Sequence, residues 1–82
     1  MYTTYIIHSK TTGRFYTGHC EDVDVRMIQH NSGRNISTKS GVPWELIFRQ
    51  QFESRWEAMK AESSIKKRGA KRFLSDHNIP IG

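Results

Sequence analysis

The chain has little with which to staple, break or bury itself. Its 82 residues hold one cysteine, Cys20, so no internal disulfide can form, and a lone thiol suits a reducing compartment. Cys20 is read as a half-buried packing residue rather than a catalytic thiol, which needs a base beside it. Of the two prolines, Pro43 closes a loop and Pro80 lies in the tail. No apolar run reaches the length of a membrane span, and no charged-then-apolar leader opens the chain. A soluble, cytoplasmic protein is expected. With no repeat, long linker or low-complexity tract, residues 1–82 are read as a single domain, whose small core stabilises only marginally. Acidic residues are also scarce. Eight Asp and Glu face thirteen Lys and Arg, a net charge of +5. That balance favours a polyanionic partner, nucleic acid before an acidic membrane surface, although a merely solvated basic surface gives the same count.

Tyr2–His8 is rich in Tyr, Thr and Ile, which suit a strand. Ser9–Arg14 is a polar turn signal around Gly13, and Phe15–Cys20 resumes the strand, making a hairpin with a longer loop. Asp22 can cap a first helix, with Asp24 in its first turn; Val25, Ile28 and Gln29 share one face, and Gly33 is a stop. Arg34–Pro43 is a basic loop without periodicity. Trp44, Leu46, Phe48 and Phe52 follow at spacing two, a third strand. Ser54 and Glu57 form a capping box for a second helix carrying Ala58, Met59, Ala61 and Ile65 up to Gly69. Ala70–Asp76 forms a last short helix, and His77–Gly82 is irregular. The order ββαβαα predicts an α+β fold, a small three-stranded antiparallel sheet flanked by helices.

Four features exceed what a structural role demands. Glu62 falls in the i, i+3, i+4, i+7 stripe of Ala58, Ala61 and Ile65. A carboxylate there needs a cation or metal partner, or is simply paired with Lys66 at i+4. Arg26 and His30, four apart, share a face beside the apolar one: a permanent charge suited to phosphate and a group that exchanges protons near neutrality, or a solvated helix face. Tyr5 and Tyr16 lie on neighbouring strands, either as core packing or as hydroxyls that want partners. Lys66, Lys67, Arg68, Lys71 and Arg72 put five cations in seven residues. With Arg34 and Lys39 they can track a phosphate backbone, or form a solvated helix end.

Taken together, these residues resemble the GIY-YIG nuclease superfamily, most closely its small stand-alone bacterial members. The likeness extends to the catalytic domain of the nucleotide-excision-repair incision subunit and of the homing endonucleases of that superfamily. The first motif's tyrosine falls on Tyr5 in "TTYII", and the second motif "YIG" on "YTG", Tyr16 to Gly18, eleven residues later. The helix arginine falls on Arg26 in "DVDVRMIQHNSG", the position four later on His30, and the metal-binding glutamate on Glu62 in "AESSIKKR". "STKSGVPWELIF" matches the small-protein subgroup. Each motif alone is weak; the ordered set spans nearly the whole chain. Departures are Thr3 and Thr4 for the Gly and Ile of the first motif, and Thr17 for the Ile of the second. Some members use an asparagine after the glutamate helix, for which Asn78 is the candidate.

The resemblance implies a divalent-metal-dependent endonuclease that hydrolyses phosphodiester bonds in nucleic acid, DNA before RNA, with no membrane partner and a place in DNA repair. It implies Mg²⁺ or Mn²⁺ at Glu62, transition-state stabilisation by Arg26, orientation or deprotonation of the attacking water by Tyr5 with His30 as relay, and orientation by the Tyr16 hydroxyl. Gly18 would let the backbone pack closely at the strand end. A phenol is a poor base near neutrality unless Arg26 and the metal lower its pKa. The alternative is a nucleic-acid-binding module that keeps the fold with little turnover; a third possibility is an interaction domain for an acidic protein.

Overall fold

A computed structural model describes residues 1–80. Its elements are β1 (Tyr2–Ser9), β2 (Phe15–Cys20), α1 (Val23–Asn31), β3 (Trp44–Phe52), α2 (Arg55–Arg68) and α3 (Ala70–Asp76). The strands form one antiparallel sheet in the order β2-β1-β3, so the fold is the expected α+β one. β1 is central and almost wholly buried; β2 is a free edge.

Alternation along β1 divides the core. Tyr5 and Ile7 face one side with Cys20, Val23 and Trp44; Ile6 faces the other with Ile65 and Leu74. The first side lies under α1 and the second under α2 and α3. Thr4, which replaces the apolar residue of the first motif, is fully buried and donates its hydroxyl to the Ala58 carbonyl at 2.7 Å. The substitution therefore exchanges an apolar contact for a bond that fastens α2 to the sheet one turn before Glu62.

Four sequence expectations are corrected. The spacing-two pattern of β3 does not hold one face, because the β1–β3 register shifts between Ile6 and Ile7. This bulge leaves Trp44 and Leu46 on the Tyr5 side and turns Ile47 and Phe48 to the other. On α1 the inward residues are Val23, Met27 and His30, spaced i, i+4, i+7, while Val25 and Ile28 are exposed; His30, expected on a face beside the apolar one, is itself part of the buried face. Met59 is likewise exposed, and Cys20 is buried rather than half-buried. The basic loop contains a 3-10 turn at Lys39–Gly41. The capping signals hold: Asp22 accepts from Asp24 and Val25 amides, and Ser54 from the Glu57 amide. After α3, Asn78 adopts a left-handed φ of 55°, a conformation asparagine tolerates. Of the tail expected to be irregular, Ile81 and Gly82 lie outside the described residues.

Candidate active site

Tyr5 pairs with Gly18 across the β1–β2 ladder, and its ring lies over that glycine. A Cβ on Gly18 would stand 2.8 Å from the Tyr5 hydroxyl and 3.2 Å from the Tyr16 ring. The glycine of "YTG" is thus required inside the strand, not at its end, because the phenol occupies the space of its side chain. The Tyr5 Oη lies 2.8 Å from His30 Nε2, and His30 Nδ1 lies 2.9 Å from Thr38 Oγ1. All three residues are buried. Burial, helped by the Arg26 charge, holds the His30 pKa below the ordinary histidine value, so the ring is neutral near pH 7. A neutral imidazole donates at one nitrogen and accepts at the other. The chain Tyr5–His30–Thr38 is therefore a directional relay: either Tyr5 donates to Nε2 and Nδ1–H to Thr38, or every donor reverses.

Thr38 is set by the loop around it. Its carbonyl accepts the Trp44 indole N–H at 2.7 Å, and a Cβ on Gly41 would clash with the indole ring. Asn31 clamps the same segment, donating to the Trp44 carbonyl and accepting its amide. Ser9 ties the Gly41 carbonyl to the hairpin loop. Tyr16 packs its ring edge-on against His30, with centroids 5.2 Å apart, and against Trp44 at 6.5 Å. "STKSGVPW" is thus the outer wall that fixes His30, a role its lack of periodicity concealed.

Arg26 is half-buried and lines a cleft of about 350 Å³ with Tyr2, His19, Gln29 and Arg55. Its charge reaches Tyr5, Cys20 and His30. It draws the Tyr5 pKa down, as expected, but is not enough by itself. Desolvation and the neighbouring Tyr16 outweigh it, and the phenol pKa is pushed well above the ordinary tyrosine value. Tyr5 is held protonated by the protein alone. Burial also pushes the Cys20 thiol up, which removes it as a nucleophile near neutrality.

Glu62 reaches the sheet from α2. One carboxylate oxygen lies 2.7 Å from His19 Nδ1 and the other 2.7 Å from Lys66 Nζ. Its side chain is 19 % exposed. Burial raises its pKa, but the bonds from Lys66 and His19 prevail and hold the carboxyl below its ordinary value. The pair with Lys66 foreseen at i+4 is present, and a second partner, His19, was not foreseen. The signal available for it was position: His19 follows "YTG" directly and points to the opposite sheet face from Gly18. Among the described residues no group of three or more His, Cys, Asp and Glu comes together to hold a metal. A single charged carboxylate still fits a hard divalent ion that keeps most of its shell as water and phosphate.

The basic run lines a groove of about 650 Å³ with Tyr16 and Thr17. Arg68 is committed to Asp76 through two bonds of 2.7 and 2.9 Å, and Lys66 to Glu62. Lys67, Lys71 and Arg72 are exposed along the groove, as are Arg34 and Lys39 on the loop.

Comparison with known proteins bears on this geometry. Residues 1–76 match the GIY-YIG catalytic domain. A UPF0213 protein of Staphylococcus saprophyticus is 38% identical over 63 residues, 76% of each chain. A UPF0213 protein of Streptococcus pneumoniae is 36% identical over 69 residues, 79% of this chain and 70% of that one. Among solved structures, the solution structure of a UPF0213 protein from Bacillus halodurans superposes with a TM-score of 0.57 at 31% identity, covering 95% of this chain and 84% of that chain. No helix among the described residues is long and apolar enough to cross a membrane. The chain belongs to the GIY-YIG family.

Proposed function

We propose that this single domain is a divalent-metal-dependent endonuclease that hydrolyses phosphodiester bonds in nucleic acid, DNA in preference to RNA. The observation that carries the reading is the buried Tyr5–His30–Thr38 relay, built over Gly18 and beside Arg26. A structural core does not need a tyrosine, a histidine and a threonine in series with an arginine charge upon them.

With Tyr5 donating to His30 Nε2, the phenol oxygen keeps an acceptor free to orient water. A proton leaving that water passes to the phenol oxygen as the phenol's own proton passes to Nε2. The transient imidazolium keeps its Nδ1–H on Thr38. This route needs no phenolate, which suits a phenol whose pKa is raised. Arg26 supplies a fixed charge for the phosphoryl oxygens in the transition state, and the Tyr16 hydroxyl orients water or substrate. Glu62 would hold Mg²⁺ or Mn²⁺, which when bound withdraws charge from the phosphate oxygens. Lys67, Lys71, Arg72, Arg34 and Lys39 supply the sequence-independent phosphate contacts.

The second reading, a binding module with little turnover, is favoured by one observation: both Glu62 oxygens already have partners. Incubation with supercoiled plasmid, branched DNA and structured RNA, with Mg²⁺, Mn²⁺ or chelator, tests the choice. Metal-dependent cleavage, lowered about 10²–10³-fold in Arg26→Ala with little change in substrate affinity, is expected. Salt-sensitive binding with no cleavage in any lane establishes the second reading instead.

A further inference from the structure

His19 lines the site and is not used by the proposed chemistry. It stands on β2 opposite Thr4, half-buried with 28 % of its side chain exposed, and lines the cleft that contains Arg26. Its Nδ1 faces Glu62 Oε1 at 2.7 Å, while Lys66 takes the other carboxylate oxygen. The two oxygens are thus divided between partners of different kind. Lys66 can only donate, whereas a neutral imidazole nitrogen can also coordinate a metal.

We propose that His19 Nδ1 and Glu62 Oε1 form a mixed nitrogen–oxygen donor pair for one divalent transition-metal ion, with Lys66 retained on Oε2 as an outer partner. The inference rests on the nuclease reading and deepens it by naming the class of ion: Mn²⁺, Co²⁺ or Zn²⁺ ahead of Mg²⁺. Three observations support it. First, the separation suits shared ligation. Adjacent donors of an octahedral ion with bonds of about 2.1 Å stand about 3.0 Å apart, so the pair must open by a few tenths of an ångström and the ring must turn its Nδ1 lone pair off the line to Oε1, exchanging the hydrogen bond for the ion. Second, the pair is held from both sides, with His19 in the β1–β2 ladder and Glu62 on a helix fastened to β1 through Thr4 and Ala58; ligands on rigid elements are preorganised. Third, His19 opens onto the Arg26 cleft, where water and phosphate oxygens can complete the shell. Imidazole suits the first-row transition ions, whereas Mg²⁺ prefers oxygen alone. Lys66 makes the same point from the other side. It neutralises the oxygen that His19 does not face, which disfavours bidentate capture of a hard ion by the carboxylate.

The competing account makes His19–Glu62 an ion pair that only fastens β2 to α2. Metal titrations of the whole protein, without nucleic acid, followed by calorimetry and by the histidine nitrogen resonances, separate the two. The expected result is that Zn²⁺ moves the His19 ring-nitrogen resonances, leaving those of His8, His30 and His77 in place, while Mg²⁺ moves none. His19→Gln, which keeps a donor for Glu62, should weaken Zn²⁺ and Mn²⁺ binding by about tenfold or more and Mg²⁺ binding hardly at all. Unmoved His19 resonances on Zn²⁺ saturation, or equal losses for all three ions in His19→Gln, overturn the proposal. A protein that binds Mg²⁺ and cleaves with unchanged ion preference in His19→Gln refutes this inference while leaving the nuclease reading intact. Absence of metal-dependent cleavage despite His19-dependent Zn²⁺ binding does the reverse.

Discussion

Substituting Gly18 by alanine tests whether the second motif exists to seat Tyr5. The added Cβ would stand 2.8 Å from the Tyr5 hydroxyl oxygen and 3.0 Å from Cζ, closer than unstrained atoms approach. The phenol has nowhere to move: Tyr5 is 2 % exposed, packed with Ile7, Val23 and Trp44. Overpacking of a core costs about 1–3 kcal/mol. Displacing the hydroxyl also strips His30 Nε2 of its partner, a buried loss of about 1–3 kcal/mol. The two overlap, and about 2–4 kcal/mol in total is expected, a fall in Tm of roughly 10–25 °C for a domain of this size. Gly13→Ala is the control. There the strain is only conformational, φ 76° with nothing near the new Cβ, and costs about 1–2 kcal/mol. Urea unfolding of both variants gives the magnitudes, and the His30 ring resonances should shift in Gly18→Ala alone. The decisive measurement is a double-mutant cycle. In a Tyr5→Ala background the Gly18→Ala cost should fall below about 1 kcal/mol, because the new methyl enters vacated space. Equal cost with and without Tyr5 would refute the argument.

Other outcomes follow from the same geometry. Thr38→Val keeps shape but removes the partner of His30 Nδ1, and should cost about 1–3 kcal/mol by denaturant unfolding. His30 makes stability depend on pH. Its folded pKa lies below the unfolded value of 6.5, so the unfolded chain takes up the proton first. The contribution is complete above pH 6.5, declines as pH falls below it, and is exhausted once pH passes the lowered folded pKa. Melting curves from pH 8 to 5 should show that decline in the native protein and a flatter profile in His30→Asn. Nucleic-acid affinity should fall with salt at a log–log slope of about −3 to −5, for roughly four to six phosphates. Lys67→Ala should weaken all sequences alike, and Arg68→Ala much less, because Arg68 is already held by Asp76.

The elements were legible in the sequence because their punctuation is local. Asp22 and Ser54 cap helices in fact as in pattern, and Gly33 and Gly69 take the positive φ that ends them. The candidates Tyr5, Tyr16, Arg26, His30 and Glu62 were marked by motif, and of these the structure brings Tyr5, Tyr16 and His30 into contact. What stayed hidden is non-local. The β3 bulge depends on how β1 pairs with it, and no single strand records that. His30 was read as a face beside the core, because burial of an imidazole is made tolerable only by Tyr5 and Thr38, from elsewhere in the chain. His19 was missed for the same reason: its significance lies in Glu62, 43 residues away.

The position of β2 explains why the motif sits where it does. Successive residues of a strand point to opposite faces, so Tyr16 and Gly18 serve the α1 side while Thr17 and His19 serve the α2 side. In the middle of a sheet those two faces could not meet one ligand, because neighbouring strands would separate them. At an edge they can, and β2 is one of the sheet's two edge strands. The electrostatics register the meeting: Glu62, from the α2 side, acts on the Tyr5 phenol on the α1 side, as does Arg26. Edge strands normally invite pairing with other chains and must be covered or charged. Here the basic groove flanks one end of β2 and the Arg26 cleft the other, so the edge left open is one that a phosphate backbone can follow. On the proposed nuclease reading, adding a strand to β2 with a designed peptide should abolish nucleic-acid binding without unfolding the domain.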